Sequence, residues 1–273
     1  MNFRLPWFRH TPRVPCPPAI IPQPIPAGPF SMAGNTHAGK VRDGNEDACY
    51  YDPSRGLAIV ADGLGGHAAG ERASMLACEV IHERLTPERL EGIFAGDEKA
   101  VQVELSSCLR QANRSLRTQS TTHYRLSGMG STVVVALLDG YILHVANLGD
   151  SRAYLVRDGH AQQLTSDHSV AAELLEAGML DEAQARHHPC RNQLTTCLGT
   201  PLPFPPAYTR MMTRLDDRVV LCSDGLWEML ADKEIARICM EAGGASEAAD
   251  RLICAANDAG GHDNITVIVM LIC

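Results

Sequence analysis

The chain has 273 residues, enough for one domain with a sizeable core. Its formal net charge of -8 and pI near 5.7 lack the basic footprint of a general nucleic-acid binder, and no apolar run reaches the roughly 18 residues that span a membrane. The ten cysteines are scattered without a CxxC pair, which argues against a zinc knot or disulfide framework and for a reducing, cytoplasmic compartment.

Residues 1–30 contain nine prolines and read as a flexible, extended tail, the alternative being an interaction arm with Trp7 and Phe8 as anchors. From residue 31 the composition is that of a folded domain. Residues 31–37 read as a strand. A charged turn follows, then short strands near 49–51 and over 57–60. A helix from Gly70 puts Ala73, Leu76, Ala77, Val80 and Ile81 on one face. Residues 85–96 read as a connection, and 97–117 as a second helix capped by Asp97. The period then changes to that of strands over 131–138, 141–147 and 152–157, with Asp139-Gly140 and Asp158-Gly159 as hairpin turns. Strands joined this closely are antiparallel. Residues 163–199 are polar, helical only around 169–177, and read as an insertion over something. A strand at 218–222, helices at 232–241 and 247–258, and a strand at 265–272 complete the chain. Cys49, Cys78, Cys108, Cys222, Cys239 and Cys254 have apolar neighbours and read as small buried hydrophobes. Two stacked antiparallel sheets with helices outside them would bury all of these faces.

The strand ends carry the chemistry. Asp62 follows one buried strand, Asp224 another, Asp263 precedes the last, Asp150 ends a hairpin strand, and Glu46-Asp47 opens a short one. One or two of these are explained as solvated turn aspartates, since Asp-Gly is a common turn dipeptide. Five acidic clusters at strand ends favour a shared cation, because like charges repel unless neutralised. All-oxygen ligands suit Mg²⁺ or Mn²⁺ rather than zinc. Two such ions can orient a water for attack on phosphorus, and Arg42 beside them suits phosphoryl oxygens.

The motifs RDGNED (42–47), VADGLGGHAAGERAS (60–74), GMGST through ANLGDSRAY, SDGLWEML (223–230) and GHDNITVIV (261–269) resemble those of the metal-dependent PPM/PP2C serine/threonine phosphatases, most of all the compact bacterial branch. The resemblance covers residues 31–273. It implies an α+β fold, a four-layer α-β-β-α sandwich of two antiparallel sheets, with a two-ion Mn²⁺ or Mg²⁺ site in the cleft between them. By position, Asp62 bridges both ions and the Gly63 carbonyl binds one. Asp224 and Asp263 complete the inner ligands, and Glu46 and Asp47 support the ion-held waters. Asp150 matches the residue tied to a third, weaker ion, Arg42 the phosphate-binding arginine, Asn264 an outer support, and 167–199 a variable flap.

The resemblance further implies hydrolysis of phosphoserine and phosphothreonine in proteins by an ion-activated water, without a covalent intermediate. The expected partners are phosphorylated proteins and a cognate Ser/Thr kinase, with no nucleic acid and no membrane span, for a monomer. Animal members carry a histidine where this chain has Leu64, so the leaving-group proton has to come from another source: ion-bound water, a flap residue or the nearby His67, whose other reading is a structural role. Two other readings stay open: a PP2C-fold binding or regulatory module without the chemistry, and a hydrolase of small phosphoesters.

Overall fold

Several strands carry apolar residues at consecutive rather than alternate positions. In the computed structural model, which describes residues 30–66, 68–96, 99–201 and 206–273, the reason is burial on both faces. The elements are β1 (Phe30–His37), β2 (Asp47–Asp52), β3 (Leu57–Leu64), α1 (Ala68–Arg84), α2 (Pro87–Phe94), α3 (Ala100–Thr122), β4 (Gly130–Ser131), β5 (Val133–Asp139), β6 (Ile142–Leu148), β7 (Arg152–Arg157), β8 (His160–Gln163), α4 (Val170–Glu176), α5 (Glu182–Arg186), β9 (Ala207–Met212), β10 (Arg218–Cys222), α6 (Asp224–Trp227), α7 (Asp232–Glu241), α8 (Ala245–Asp258) and β11 (Ile265–Ile272).

One sheet has the order β1-β11-β10-β7-β8, the other β2-β3-β5-β6-β9 with β4 paired to β3, and all of the pairings are antiparallel. Along β3 the side chains divide in alternation. Ala58 and Val60 enter the layer between the sheets with Val134, Leu221 and Ile268, while Leu57 and Ile59 pack outward among residues of α1 and α3 such as Ile81 and Leu109. The other sheet repeats this, with Val220, Val267 and Val269 packed outward among Leu252 and Ile235 of α8 and α7. Three apolar layers therefore separate helices, sheet, sheet and helices, the four-layer α-β-β-α sandwich that the motifs imply.

Several elements differ from the sequence reading. β1 takes in Phe30, which that reading assigns to the tail; the rest of the tail lies outside the described residues. The supposed connection at 85–96 contains α2, whose Thr86 accepts the Arg89 N–H as N-cap with proline in the first turn. α1 starts at Ala68 rather than Gly70. α3 is flanked by Lys99 with no side-chain cap, and Asp97 lies outside the described residues. β8, β9, α5 and α6 are additional elements, and the strand expected over 131–138 divides into β4 and β5.

Four of the six thiols are buried as expected. Cys49 is half-buried and Cys254, on the outward side of α8, is exposed. Burial pushes Cys108 and Cys239 up to about 12, which keeps them as inert thiols.

Candidate active site

The register of β2 against β3 sets Asp47 directly opposite Asp62. From the facing sheet, β10 runs into Ser223 and then Asp224, the first residue of α6, while Asp263 stands just before β11. The backbone of Asp62 is held on both sides by the GMGST motif. Its N–H donates to Thr132 Oγ1 at 3.0 Å, and its carbonyl accepts from the Thr132 N–H at 2.9 Å and from Ser131 Oγ at 3.0 Å. Thr132 is itself bonded to Ser151, beside Asp150.

Asp47 lies beneath the cleft floor, buried. Its Oδ2 accepts from Ser223 Oγ at 2.7 Å and Thr266 Oγ1 at 2.6 Å, whereas Oδ1 is buried with no hydrogen-bond partner. Burial raises its pKa to about 6, against the two hydroxyl donors, and the nearby Asp263 and Glu46 add to the rise. Asp62 and Asp224 are driven well above the ordinary carboxylate range, first by desolvation. Asp47, Asp224, Asp150 and Asp263 then act on Asp62, and Asp150, Asp263 and Asp47 on Asp224.

A loop with little regular structure delivers Arg42 and Glu46, and Asn264 fastens it. The Asn264 side chain donates to the carbonyls of Ala38 and Gly44 at 3.0 and 2.8 Å and accepts the Glu46 N–H at 2.8 Å. The Glu46 carbonyl in turn accepts from Ser74 Oγ and from the Gly63 N–H. Arg42 reaches across to Asp263, Nη2 to Oδ2 at 2.6 Å, and that contact raises its already high pKa.

Glycine matters at two positions. A Cβ on Gly63 would strike the Gly70 carbonyl, and one on Gly70 would strike the Glu46 carboxylate. Gly70→Ala should therefore lower kcat about tenfold or more by displacing Glu46. The helix-forming alanine should at the same time keep the melting temperature at or above that of the parent, by about 1 kcal/mol of propensity. Steady-state kinetics paired with thermal unfolding checks both signs.

Asp150 sits behind this group, buried. Burial foremost, then Asp167, raises it to about 7. Its carbonyl accepts from Trp227 Nε1 at 3.0 Å, and the Arg152 guanidinium lies 3.7 Å from the centre of the Trp227 ring.

Arg42, Glu46, Asp62, Gly63, Asp224 and Asp263 line one cleft of about 440 Å³, together with Leu64, Asn192 and Asn264. Asp47 lies below it and Asp150 to one side. None of the described lining residues is a histidine, and His67 lies outside the described residues.

The donor set fits hard divalent cations. It is all oxygen, its carboxylates oppose one another's ionisation, and the buried Oδ1 atoms of Asp47 and Asp224 have no partner. Among the described residues no three such groups are already drawn to the spacing of a filled coordination shell; the set is open. Ser223, Thr266 and Trp227 have site roles that sequence reasoning missed, although each falls inside a motif or directly beside a strand-end aspartate.

A two-sheet sandwich with carboxylates converging at one end of both sheets defines the class of phosphatases that use oxygen-ligated divalent ions. A family model for protein phosphatase 2C matches residues 34–255. The chain is 33% identical over 238 residues to the serine/threonine phosphatase stp of Listeria monocytogenes, covering 86% of this chain and 93% of that protein. The crystal structure of the serine/threonine phosphatase Stp1 of Staphylococcus aureus superposes with a TM-score of 0.81 at 31% identity, over 89% of this chain and 95% of that one. The catalytic domain of the phosphatase PstP, crystallised with two manganese ions, gives 0.75 at 32% identity, over 88% and 97%. The chain belongs to the bacterial branch of the PPM/PP2C protein phosphatase family.

Proposed function

We propose that this protein is a serine/threonine phosphatase that removes phosphate from phosphoserine and phosphothreonine in proteins, in the cytoplasm, against a Ser/Thr kinase of the same cell. The observation that carries the reading is the cleft, where carboxylates from both sheets meet one arginine and leave buried oxygens without partners. Asp62, the Gly63 carbonyl, Asp224 and Asp263 would hold two Mn²⁺ or Mg²⁺ ions, with Glu46 and Asp47 supporting their waters and Asp150 available to a third. Bound ions supply Lewis acidity and an activated water.

The chain's own residues do the rest. Arg42 spends one of its five N–H donors on Asp263 and has others for the phosphoryl oxygens. Asn264 holds the loop that aims Arg42 and Glu46. Ser223 and Thr266 keep Asp47 oriented and favour its ionised form. Leu64 lines the cleft and has no titratable proton, so the leaving alcohol takes its proton from another source: water, a flap residue or His67.

The test is release of phosphate from a phosphothreonine peptide with Mn²⁺, with and without EDTA, alongside a phosphotyrosine peptide and a small alkyl phosphate. Activity that is highest on the phosphothreonine peptide and abolished by EDTA is expected. Turnover that survives chelation would sink the two-ion reading, and preference for the alkyl phosphate would sink the protein-substrate one.

A further inference from the structure

Flap residues Arg191 and Asn192 stand between two cavities. Arg191 lines one of about 960 Å³ bounded by α4, α5 and α6. Asn192 lines the catalytic cleft with Arg42, Asp224 and Asp263, and is the flap's one contribution there among the described residues.

This partition is tied down. The Arg191 N–H donates to the His188 carbonyl at 3.1 Å, the Val170 N–H to the Gln193 carbonyl at 2.9 Å, and the Thr195 N–H to the His168 carbonyl at 2.9 Å. Arg191 Nε reaches Glu228 Oε1 at 3.3 Å, which fixes the partition to the end of α6, the helix that Asp224 begins. Asn192 itself is exposed, and its carboxamide makes no hydrogen bond to a described residue. A carboxamide offers two donors and an acceptor, a match for a peptide backbone leaving the phosphorylated residue. The charged groups around it match the phosphate and the ions instead.

We infer that Asn192 is a specificity-determining residue that contacts the polypeptide of the substrate, held at the cleft by the Arg191–Glu228 pair. The inference rests on the phosphatase reading and extends it to how a protein is told from a small phosphoester.

The experiment measures kcat and KM separately for a phosphothreonine peptide and for a small aryl phosphate, both with Mn²⁺. The parent is compared with Asn192→Ala, Arg191→Ala and Arg191→Lys. Losing one neutral hydrogen bond should raise the peptide KM about 3- to 10-fold in Asn192→Ala. The ratio of kcat/KM for peptide over aryl phosphate should fall by the same factor. Arg191→Ala should move the ratio the same way and Arg191→Lys should recover much of it. An unchanged ratio, or a fall in kcat at constant KM, would overturn the inference while leaving the phosphatase reading intact. An unsubstituted protein that turns over neither substrate would overturn both.

Discussion

Asp62→Asn is expected to cut turnover of a phosphothreonine peptide by about a thousandfold or more. In the presence of a chelator it should also unfold at a higher temperature than the unsubstituted protein. The two effects have one origin. Asp62 is placed among Asp47, Asp224, Asp150 and Asp263, each of which opposes its ionisation, and desolvation opposes it more. Without cations this arrangement costs stability, and an isosteric amide removes one charge from it. The expected gain is on the order of 1 kcal/mol, or about 2–4 °C for a domain of this size. With Mn²⁺ the order should reverse, because the substituted site has lost one of the carboxylates that would hold the ions. Melting curves in EDTA and in Mn²⁺ read the effect directly. A variant that melts below the parent in EDTA would show that Asp62 stabilises the fold in its own right, contrary to its surroundings.

The second large effect is on the pH dependence of stability. Asp47 and Asp150 are raised from 3.8 to about 6 and about 7 in the folded protein, both chiefly by burial. Below about pH 4 they are protonated in both folded and unfolded chains and contribute nothing. Between about pH 4 and 7 the folded protein holds protons that the unfolded chain has released, so stability falls as pH rises, and above pH 7 the full penalty is present. Metal-free protein should therefore melt several degrees higher at pH 5 than at pH 8. Asp52 works in the opposite sense: burial would raise it, but hydrogen bonds from Ser54 and Arg55 hold it low, so its contribution is lost only in stronger acid. Mn²⁺ at a hundredfold excess over its dissociation constant adds about 2.7 kcal/mol, or roughly 5–10 °C. At a fixed Mn²⁺ concentration the increment should be larger at pH 8, where no proton has to be displaced. A melting temperature in EDTA that rises steadily from pH 5 to 8 would contradict the placement of these carboxylates.

How much of this is legible in the sequence depends on where a residue's partners lie. β3 and β5 stand out because burial on both faces demands an unbroken apolar run, and LAIVA and VVVALL can hardly be anything else. β8 and β9 do not stand out because they are edge strands, with HAQQ and AYTRMM half exposed and no apolar alternation to detect. α2 hides for a related reason, since Leu90 is its one buried residue; Thr86 followed by proline was the available signal. Cys254 misleads because LICAAN is apolar by composition, while the helical period turns that one position outward.

At the site, the aspartates and Arg42 are visible as types in a pattern. That Asp47 rests on Ser223 and Thr266 is not, because it follows from two sheets being stacked and no local spacing encodes it. The reach of Arg42 to Asp263 is hidden in the same way.

The pairing of β1 with β11 carries a consequence for how the protein is made. Phe30 lies against Ile272 and His37 against Ile265, and Thr36 touches Thr266 from 230 positions away. As the chain leaves the ribosome, β1 emerges early and has no neighbour until β11 follows. The hydroxyls that orient Asp47 come from 176 and 219 positions later. Contacts of such long range form slowly and late. A nascent chain can assemble β2, β3, β5 and β6 with α1 and α3 over them, yet it holds only half of the carboxylates. Asp224 and Asp263 join the cleft only when β10 and β11 pair, so the full set of proposed ion ligands is completed by the last strand to be made.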